Sequence, residues 1–304
     1  MIETTYIWKN GALIKWADAT THVLTHALHY GTGVFEGIRA YKTEKGTAIF
    51  KATEHYDRLL DSAKLIYMNP PYSTEELIQA TRHLLKENNL ESCYIRPLFY
   101  FGYGEMGLNP SKNKVDCIVA AWPWGTYLGE EGLKNGIRCK VSSWTRIDSS
   151  VVPPLAKSAA NYLNSGLAKQ EALRCGYEEA ILLNSNGRVA EGPGENLFLI
   201  KDNTLYTPDI SENALKGITS KTIIECAKHL NIPFEFKSII RDELFLADEL
   251  FFTGTAAEVT PIKEIDGITI GNGSRGPITE KLQTLFFDIV TGRKTLNPSW
   301  LTYI

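Results

Sequence analysis

One lysine of this chain, Lys157, stands among small and apolar residues in the segment 153–162 (PPLAKSAANY). A lysine that is buried in such surroundings loses hydration, which lowers its pKa and favours the neutral form. The neutral amine is then free for Schiff-base chemistry. A carboxylate, Glu191, opens the glycine-containing run 191–196 (EGPGEN) further along the chain. Because most lysines are solvated surface charges, the role of Lys157 depends on the sequence around it.

A glycine-rich run, residues 102–107 (GYGEMG), matches the G-x-G-x-x-G pattern and directly follows a predicted strand. A nicotinamide dinucleotide site also needs a helix that begins there and directs its N-terminal amides at the pyrophosphate. Residues 108–111 (LNPS) are typical of a turn instead. We therefore expect a glycine-rich loop, and a nicotinamide-dependent oxidoreductase is a remote alternative.

Three histidines, His22, His26 and His29, have the spacing of metal ligands on one helix face. Zinc catalysis usually also needs a glutamate in an H-E-x-x-H sequence, which this chain lacks. The histidines are therefore interpreted as structural, and no metal site is predicted.

Composition narrows the class of protein. The 304 residues carry a net charge of −3, and the basic residues are scattered, so no nucleic-acid partner is expected. No apolar run approaches the roughly 20 residues that span a bilayer, and no secretory leader is visible, so a cytoplasmic protein is predicted. The five cysteines form no C-x-x-C pair and are interpreted as reduced thiols.

Turn residues and hydrophobic periodicity predict a mixed α and β chain with two domains. Asn10-Gly11 lies between the apolar runs 6–8 and 12–14 and predicts a hairpin with a type I′ turn. Ser73 with Glu76 predicts a helix N-terminus with a capping box. The predicted domains are 1–125 and 137–304, joined by an interdomain loop at 126–136 that holds three glycines. Strands are also predicted near 34–41, 48–51, 94–101, 116–121 and 249–253 and around the turns 184–187 and 201–203, with helices near 54–67, 158–174, 219–230 and 278–290.

Six short sequences, in this order, closely resemble the branched-chain amino-acid aminotransferases over nearly the whole chain. They are residues 35–39 (FEGIR), 94–97 (YIRP), Lys157 with 161–162 (NY), 191–198 (EGPGENLF), 217–219 (GIT) and 254–258 (GTAAE). That family consists of fold type IV pyridoxal-phosphate enzymes. The resemblance implies an α+β fold of two domains with the cofactor at the domain interface: a small N-terminal domain and a large C-terminal cofactor-binding domain.

The resemblance also implies roles for cofactor-binding residues. Lys157 is the expected Schiff-base lysine, which also moves a proton between the substrate α-carbon and the cofactor C4′. Glu191, and not Glu195, is expected to face the pyridine nitrogen, and Tyr162 to donate to the phenolic oxygen. The expected phosphate site comprises the run Gly217-Ile218-Thr219 before a helix, together with Leu215, Thr255 and Arg58.

Substrate recognition is expected from a second set of residues. By the same resemblance, an apolar wall receives the branched side chain, Arg96 with Tyr94 receives the second carboxylate of glutamate, and a turn supplies amides for the α-carboxylate. Tyr30 is expected to reach across from a neighbouring subunit. The full expected set is Tyr30, Phe35, Arg39, Tyr94, Arg96, Trp124, Tyr127, Thr255, Ala256 and Ala257.

Two positions depart from the family pattern. Pro193 replaces a usual small residue and stiffens its turn, and Ser220 replaces a usual basic residue next to the expected phosphate site. The sequence therefore predicts a homo-oligomeric aminotransferase, dimeric or hexameric, that acts on L-leucine, L-isoleucine or L-valine and 2-oxoglutarate. A D-amino-acid or R-amine transaminase and an aminodeoxychorismate lyase of the same fold are the nearer alternatives.

Overall fold

A computed structural model describes residues 3–125 and 128–304, and within them the chain forms seventeen strands and eight α-helices. The strands are β1 (Tyr6–Lys9), β2 (Ala12–Lys15), β3 (Gly33–Phe35), β4 (Ile38–Thr43), β5 (Gly46–Phe50), β6 (Cys93–Phe101), β7 (Val115–Pro123), β8 (Ile137–Val141), β9 (Glu179–Leu183), β10 (Val189–Glu191), β11 (Asn196–Lys201), β12 (Thr204–Thr207), β13 (Phe234–Phe236), β14 (Glu249–Gly254), β15 (Glu258–Ile265), β16 (Ile268–Thr269) and β17 (Leu301–Tyr303). The helices are α1 (His26–Tyr30), α2 (Ala52–Leu65), α3 (Thr74–Glu87), α4 (Gly129–Asn135), α5 (Asn161–Arg174), α6 (Ile218–His229), α7 (Arg241–Phe245) and α8 (Pro277–Val290).

Two compact units divide the chain. Unit 1 comprises the described part of Met1–Gly125 together with Ala156–Ala160 and Ile289–Ile304. Unit 2 comprises the described part of Thr126–Leu155 together with Asn161–Asp288. Each unit combines helices with a largely antiparallel sheet, so the predicted α+β class is confirmed.

The units differ from the predicted domains at their ends. Residues 289–304 were expected in the C-terminal domain, but they belong to unit 1 because β17 pairs antiparallel with β5. The expected interdomain loop 126–136 contains helix α4, which belongs to unit 2. Long-range strand pairing, which local sequence patterns do not specify, is the physical reason for the first difference.

A five-residue segment, Ala156–Ala160, also belongs to unit 1 although helix 158–174 was predicted to begin within it. Its main chain pairs with β3: the Phe35 N–H donates to the Lys157 carbonyl at 3.0 Å, and the Ala159 N–H donates to the Gly33 carbonyl at 2.8 Å. Because these groups bond to a strand, the helix begins later, at Asn161.

The sheet of unit 1 has the strand order β17-β5-β4-β6-β7-β1-β2, with β3 also on β6. Side chains of α2 and α3 pack on this sheet in one buried apolar cluster that includes Ile38, Ile95, Tyr56, Leu59 and Leu77. The predicted hairpin is confirmed as β1 and β2, whose turn residues Asn10 and Gly11 take φ values of 50° and 97°. Positive φ at both positions is what a type I′ turn requires.

The two predicted helices of this unit, α2 and α3, begin close to their predicted starts. The capping box of α3 is confirmed: the Ser73 N–H donates to Glu76 Oε2 at 2.8 Å, and the Glu76 N–H donates to Ser73 Oγ at 3.3 Å. Helix α2 begins two residues before its predicted start and ends at Leu65, because Tyr67 takes a φ of 58°. That left-handed conformation cannot continue a right-handed helix.

The sheet of unit 2 has the strand order β10-β9-β8-β15-β14-β11-β12-β13, with β16 on β15. Its centre is apolar, and the rings of Phe198 and Phe251 stack with centroids 5.1 Å apart. Strand β10 ends at Glu191 and strand β14 ends at Gly254. The sheet therefore carries two of the predicted site segments at strand ends.

The glycine-rich run after β6 forms turns, and residues 102–113, all of them described, contain no helix. The loop predicted there is confirmed, and the helix that a dinucleotide site needs is missing from these residues. His26, which is buried, joins the loop to α1: its Nε2 donates to the Gly107 carbonyl at 2.7 Å, and its Nδ1 lies 2.8 Å from Thr32 Oγ1. Its ring therefore has the predicted structural role.

Among the helices of the described residues, none is both long and apolar enough to span a bilayer.

Candidate active site

The predicted site residues fall into two groups, one in each unit. Unit 1 contains Tyr30, Phe35, Arg39, Arg58, Tyr94, Arg96, Trp124 and Lys157. Unit 2 contains Tyr162, Glu191, Leu215, Gly217, Ile218, Thr219, Thr255, Ala256 and Ala257. Tyr127 lies outside the described residues.

Lys157 is half-buried in unit 1, and its main chain is held on both sides. Its N–H donates to Ser62 Oγ at 3.0 Å, and its carbonyl accepts from the Phe35 N–H at 3.0 Å. The amine, Nζ, lies 5.2 Å from the centroid of the Phe35 ring. The Lys157 amine thus faces the Phe35 ring, and hydrogen bonds fix the main chain of the lysine.

Next to this lysine segment, Glu36, His55 and Arg58 form a buried polar group, named here the Glu36 cluster. Arg58 holds the carboxylate with two bonds, from Nε to Oε1 at 2.6 Å and from Nη2 to Oε2 at 2.9 Å. His55 Nδ1 donates to the same Oε2 at 2.8 Å. Arg58 was predicted from the sequence but its two partners were missed, since a glutamate in a strand connection and a helical histidine carry no signal of pairing.

Burial and charge determine the ionisation states of the Glu36 cluster. Burial opposes ionisation of Glu36, but the charge of Arg58, with help from His55, holds the pKa of that carboxyl far below its usual range. Burial lowers the pKa of His55, against the opposing attraction of Glu36, so the ring is neutral at pH 7. The cluster therefore carries one negative charge on Glu36 and one positive charge on Arg58.

Four predicted substrate residues meet in unit 1 around one arginine. Arg96 Nη2 donates to the Tyr94 hydroxyl at 3.1 Å, and its guanidinium carbon lies 4.7 Å from the Phe35 ring centroid. Tyr94 also packs on Trp124, with ring centroids 5.3 Å apart. The Phe35 ring is therefore shared by the Lys157 amine and the Arg96 guanidinium.

The two other predicted substrate residues of unit 1 are placed differently. Arg39 is the cross-strand partner of Tyr94, and its guanidinium lies 5.2 Å from the Tyr41 ring centroid. Tyr30 packs on His26 in α1, with centroids 4.5 Å apart, and its side chain is partly exposed. Tyr30 therefore remains available to another molecule.

Gly37 leaves the space that Tyr94 occupies. A Cβ atom at Gly37 would lie 2.1 Å from the Tyr94 hydroxyl oxygen, which is far inside van der Waals contact. Neither turn geometry nor a positive φ requires glycine at this position. The close approach of the tyrosine hydroxyl is the reason for it.

We expect Gly37→Ala to lower the free energy of unfolding by about 1–3 kcal/mol, the usual cost of overpacking a filled site. Gly166→Ala is the matched control, since no heavy atom lies within 4 Å of a Cβ at that helical position. It should be neutral or stabilise by up to about 1 kcal/mol. Urea unfolding measures both, and equal stability of the two variants would show that Tyr94 does not occupy this space.

In unit 2, Glu191 is the last residue of β10 and its carboxylate is buried. Its Oε1 lies 2.6 Å from Arg146 Nη2 in an ion pair whose side chains are 6% and 5% exposed. Its Oε2 accepts from Asn196 Nδ2 at 3.1 Å and from the Leu215 N–H at 3.0 Å. These contacts hold Glu191 as an oriented carboxylate.

Arg146 is itself fixed, because its Nη1 donates to Ser165 Oγ at 3.2 Å and its N–H donates to the Leu183 carbonyl at 2.8 Å. This arginine was not predicted from the sequence, because it lies in an irregular segment without any motif. Only its burial beside a carboxylate marks it as part of the site.

Glu195 differs from Glu191 in its ionisation. Burial, reinforced by the negative charge of Glu179, raises the pKa of Glu195 to about 8, although the Gly194 N–H donates to it at 3.0 Å. Glu195 is therefore mostly protonated at pH 7. Glu191 instead lies beside a cation, Arg146, and its predicted role at the cofactor nitrogen stays a prediction.

Gly217 is the N-cap of α6, so the free N–H groups of the first helical turn follow it directly. A Cβ at Gly217 would lie 1.8 Å from Asn196 Oδ1, and this close approach requires a glycine. Thr219, in that first turn, is buried. Ser220, at the position that departs from the family pattern, lines a cleft together with Leu215 and Gly217.

The turn at residues 255–257 joins β14 to β15, and a Cβ at Gly254 would lie only 3.2 Å from the Gly194 carbonyl. This turn therefore lies against the turn that follows Glu191, which includes Pro193. Tyr162 is half-buried in the first turn of α5. Its predicted contact with a cofactor oxygen stays a prediction.

The class of protein follows from a comparison with known families: the model of the family described as amino-transferase class IV matches residues 33–265. The chain belongs to this family. It is 53% identical over 298 residues to the branched-chain-amino-acid aminotransferase of Pseudomonas aeruginosa, covering 98% of this chain and 97% of that relative.

Two solved structures show the same similarity. The crystal structure of the Escherichia coli branched-chain amino acid aminotransferase matches with a TM-score of 0.97 and 48% identity, covering 98% of this chain and 99% of that one. A crystal structure of a second branched-chain amino acid aminotransferase, with pyridoxamine 5′-phosphate, matches with a TM-score of 0.96 and 47% identity, covering 100% and 99%. These matches confirm the predicted fold type IV.

The residues of this chain fit pyridoxal 5′-phosphate, the cofactor of class IV aminotransferases. The phosphate requires hydrogen-bond donors, which the start of α6 in unit 2 offers. The pyridine nitrogen requires an anion, which Glu191 offers. The aldehyde requires an amine, which Lys157 offers.

Proposed function

We propose that the chain is a branched-chain amino acid aminotransferase that moves the amino group reversibly between L-leucine, L-isoleucine or L-valine and 2-oxoglutarate in a ping-pong reaction. The observation that carries this proposal is the Phe35 ring, which has the Lys157 amine at 5.2 Å and the Arg96 guanidinium at 4.7 Å. An amine, an apolar surface and a cation that can bind a carboxylate thus occupy one small region of unit 1. A reaction that alternates apolar and acidic substrates needs all three.

When bound, pyridoxal 5′-phosphate supplies the carbonyl that carries the amino group and the ring that accepts electrons from the α-carbon. Its phosphate would be held by Arg58, Gly217, Ile218, Thr219 and Thr255. Glu191 would face its pyridine nitrogen, and Tyr162 would donate to its phenolic oxygen. Leu215 would line the site, since its N–H holds Glu191.

Lys157 would take the proton from the substrate α-carbon and return it in the reverse half-reaction. A positioned acid and base of this kind contributes a factor of about 10² to 10⁴ to a rate. The two main-chain hydrogen bonds of Lys157 leave its side chain as the moving part. Proton transfer therefore needs no backbone movement.

Glu191 would keep the pyridine nitrogen protonated, and each pKa unit of that bias corresponds to about 1.4 kcal/mol. Arg146 stabilises the anionic form of Glu191, because a cation 2.6 Å away favours the ionised carboxylate. A proton shared between the Glu191 carboxylate and the pyridine nitrogen would therefore stay on the nitrogen.

Substrate side chains would meet Phe35, Tyr94 and Trp124, whose rings form an apolar surface next to Arg96. Arg96 and the Tyr94 hydroxyl would bind the second carboxylate of glutamate. The amides of Thr255, Ala256 and Ala257 would bind the α-carboxylate. Arg39, Tyr30 and Tyr127 complete the proposed set.

A homo-oligomer is also part of the proposal. Segments 22–30 and 102–108 of unit 1 lie together, as the bridge between Thr25 and Tyr103 shows, and they expose several large apolar side chains. Val23, Leu28, Tyr103 and Leu108 are 73%, 63%, 61% and 88% exposed. Large apolar side chains exposed on neighbouring segments are typical of an interface. A second copy that covers it would bring Tyr30 to a neighbouring chain.

A cytoplasmic location is proposed on separate grounds. Four cysteines, Cys93, Cys117, Cys139 and Cys175, are free thiols. Unpaired cysteines suit a reducing compartment.

The test is an absorption spectrum of the protein loaded with pyridoxal 5′-phosphate. L-Leucine is expected to bleach the visible band, and 2-oxoglutarate is expected to restore it, so that both half-reactions occur on one protein. D-Alanine and an R-arylalkylamine serve as comparison substrates. Bleaching by either of these and not by L-leucine would replace the proposed substrate class with one of the alternatives, and a protein that stays colourless would refute the proposed cofactor.

A further inference from the structure

We infer that Glu36, supported by His55, is a positioning residue that fixes the Arg58 guanidinium for recognition of a phosphate monoester. This inference rests on the proposed function, in which Arg58 binds the cofactor phosphate. It adds a role for two residues that do not themselves touch the phosphate.

The geometry of the Glu36 cluster is that of a clamp. Glu36 engages the Nε and Nη2 edge of the guanidinium at 2.6 and 2.9 Å, and a bidentate bond of this kind fixes both the plane and the rotation of the group. The third nitrogen of Arg58, Nη1, is thereby held in one direction. An arginine without such a clamp would sample many rotamers and lose part of its geometric match to a phosphate.

Glu36 is in turn held in place. His55 Nδ1 donates to its Oε2 at 2.8 Å, and the Gly37 N–H donates to the same oxygen at 3.2 Å. The carboxylate has no exposed surface, whereas the Arg58 side chain is 14% exposed. The clamp therefore lies on the protein side of the arginine.

The same helix connects Arg58 to the lysine segment. Ser62 Oγ donates to the Arg58 carbonyl at 2.8 Å and accepts from the Lys157 N–H at 3.0 Å. His55, Arg58 and Ser62 lie on one face of α2, at the spacing of one and two helical turns. The arginine and the lysine proposed to hold two ends of one cofactor thus share a hydrogen-bonded support.

Stability alone gives a weak reason for this buried pair. Replacing a buried ion pair with apolar residues of similar volume is often neutral or stabilising, because desolvation offsets the attraction. A clamp that orients a functional guanidinium explains why Glu36 and His55 are buried beside Arg58.

The test measures the dissociation constants of pyridoxine 5′-phosphate and pyridoxine for the full chain freed of cofactor. Neither probe has an aldehyde, so neither can bond covalently to Lys157, and their ratio of affinities reports recognition of the phosphate. Arg58→Ala should weaken binding of the phosphate ester about 10- to 100-fold, as for lost bonds to a charged group. Glu36→Gln should weaken it about tenfold, the size of a typical coupling between neighbouring charged groups, and change pyridoxine binding less than threefold.

Glu178→Gln is the matched control, since Glu178 also holds an arginine, Arg138, through both of its carboxylate oxygens. It should leave both affinities unchanged. If Glu36→Gln does not fold, His55→Leu and His55→Asn replace it: the leucine should reduce the affinity ratio, and the asparagine, which keeps a donor near the Nδ1 position, should restore it.

Each outcome decides between explanations. If Glu36→Gln weakened binding of both probes to the same extent, the Glu36 cluster would have only a structural role. If it tightened binding of the phosphate ester, Glu36 would only neutralise the charge of Arg58. Either result overturns the inference. An unchanged ratio in Arg58→Ala would instead overturn the proposed phosphate role of Arg58 itself.

Discussion

Lys157→Ala is expected to lower the rate of transamination between L-leucine and 2-oxoglutarate by about 10³-fold or more. The variant loses both the amine that bonds to the cofactor and the base that moves the α-proton, and the base alone contributes about 10² to 10⁴. Its folding should be retained, because the hydrogen bonds that fix this position, to Ser62 and Phe35, use main-chain atoms of residue 157. Initial rates and circular dichroism measure the two effects.

Lys64→Ala provides the control for this prediction. Lys64 lies on the exposed side of α2, in the same unit, and its removal should change the rate by less than about twofold. Normal turnover of Lys157→Ala would reject the lysine assignment. A variant that is inactive and also unfolded would be uninformative for catalysis, so the far-ultraviolet spectrum is measured on the same sample.

Arg146→Ala should lower the free energy of unfolding by about 3–5 kcal/mol. Glu191 is then left as a buried carboxylate without its cation, which is among the most costly single changes in a protein interior. The loss should be larger than for an exposed pair, since the two side chains are only 6% and 5% exposed. Urea unfolding measures the difference, and cofactor binding should weaken with it.

Arg138→Ala tests whether burial is the cause. Its partner is Glu178, the shortest nitrogen to oxygen distance is again 2.6 Å, and both pairs lie in unit 2, but these side chains are 41% and 42% exposed. Because water screens an exposed pair, its removal should have a much smaller effect. If the two variants lost similar amounts of unfolding free energy, burial would not be the cause of the large effect expected for Arg146→Ala.

The local features of the fold were predictable from the sequence because they depend on residues close together in the chain. The Asn10-Gly11 hairpin needs two residues that tolerate positive φ, and the capping box needs Ser73 and Glu76 three positions apart. The helix that follows Gly217 begins where expected for the same reason. The family resemblance also predicted the class of cofactor, because the ordered motifs identify the family and composition alone does not.

Other parts of the site depended on tertiary structure. Lys157 and Ser62 are 95 positions apart, and their bond exists only because the lysine segment pairs with β3 beside α2. Strand register also brings residues 289–304 into unit 1, which the predicted domain boundary did not allow. Such pairings follow from how whole elements pack, and no short window of sequence contains them.

The sequence by itself thus determined which groups are proposed to react: the amine of Lys157, the carboxylate of Glu191 and the N–H groups at the start of α6. Tertiary structure alone decided which groups support them, namely Arg146 for Glu191 and the Glu36 cluster for Arg58. The physical reason is that ionisation and orientation depend on burial and on partners a few ångströms away. Both are properties of the packed chain and not of its order of residues.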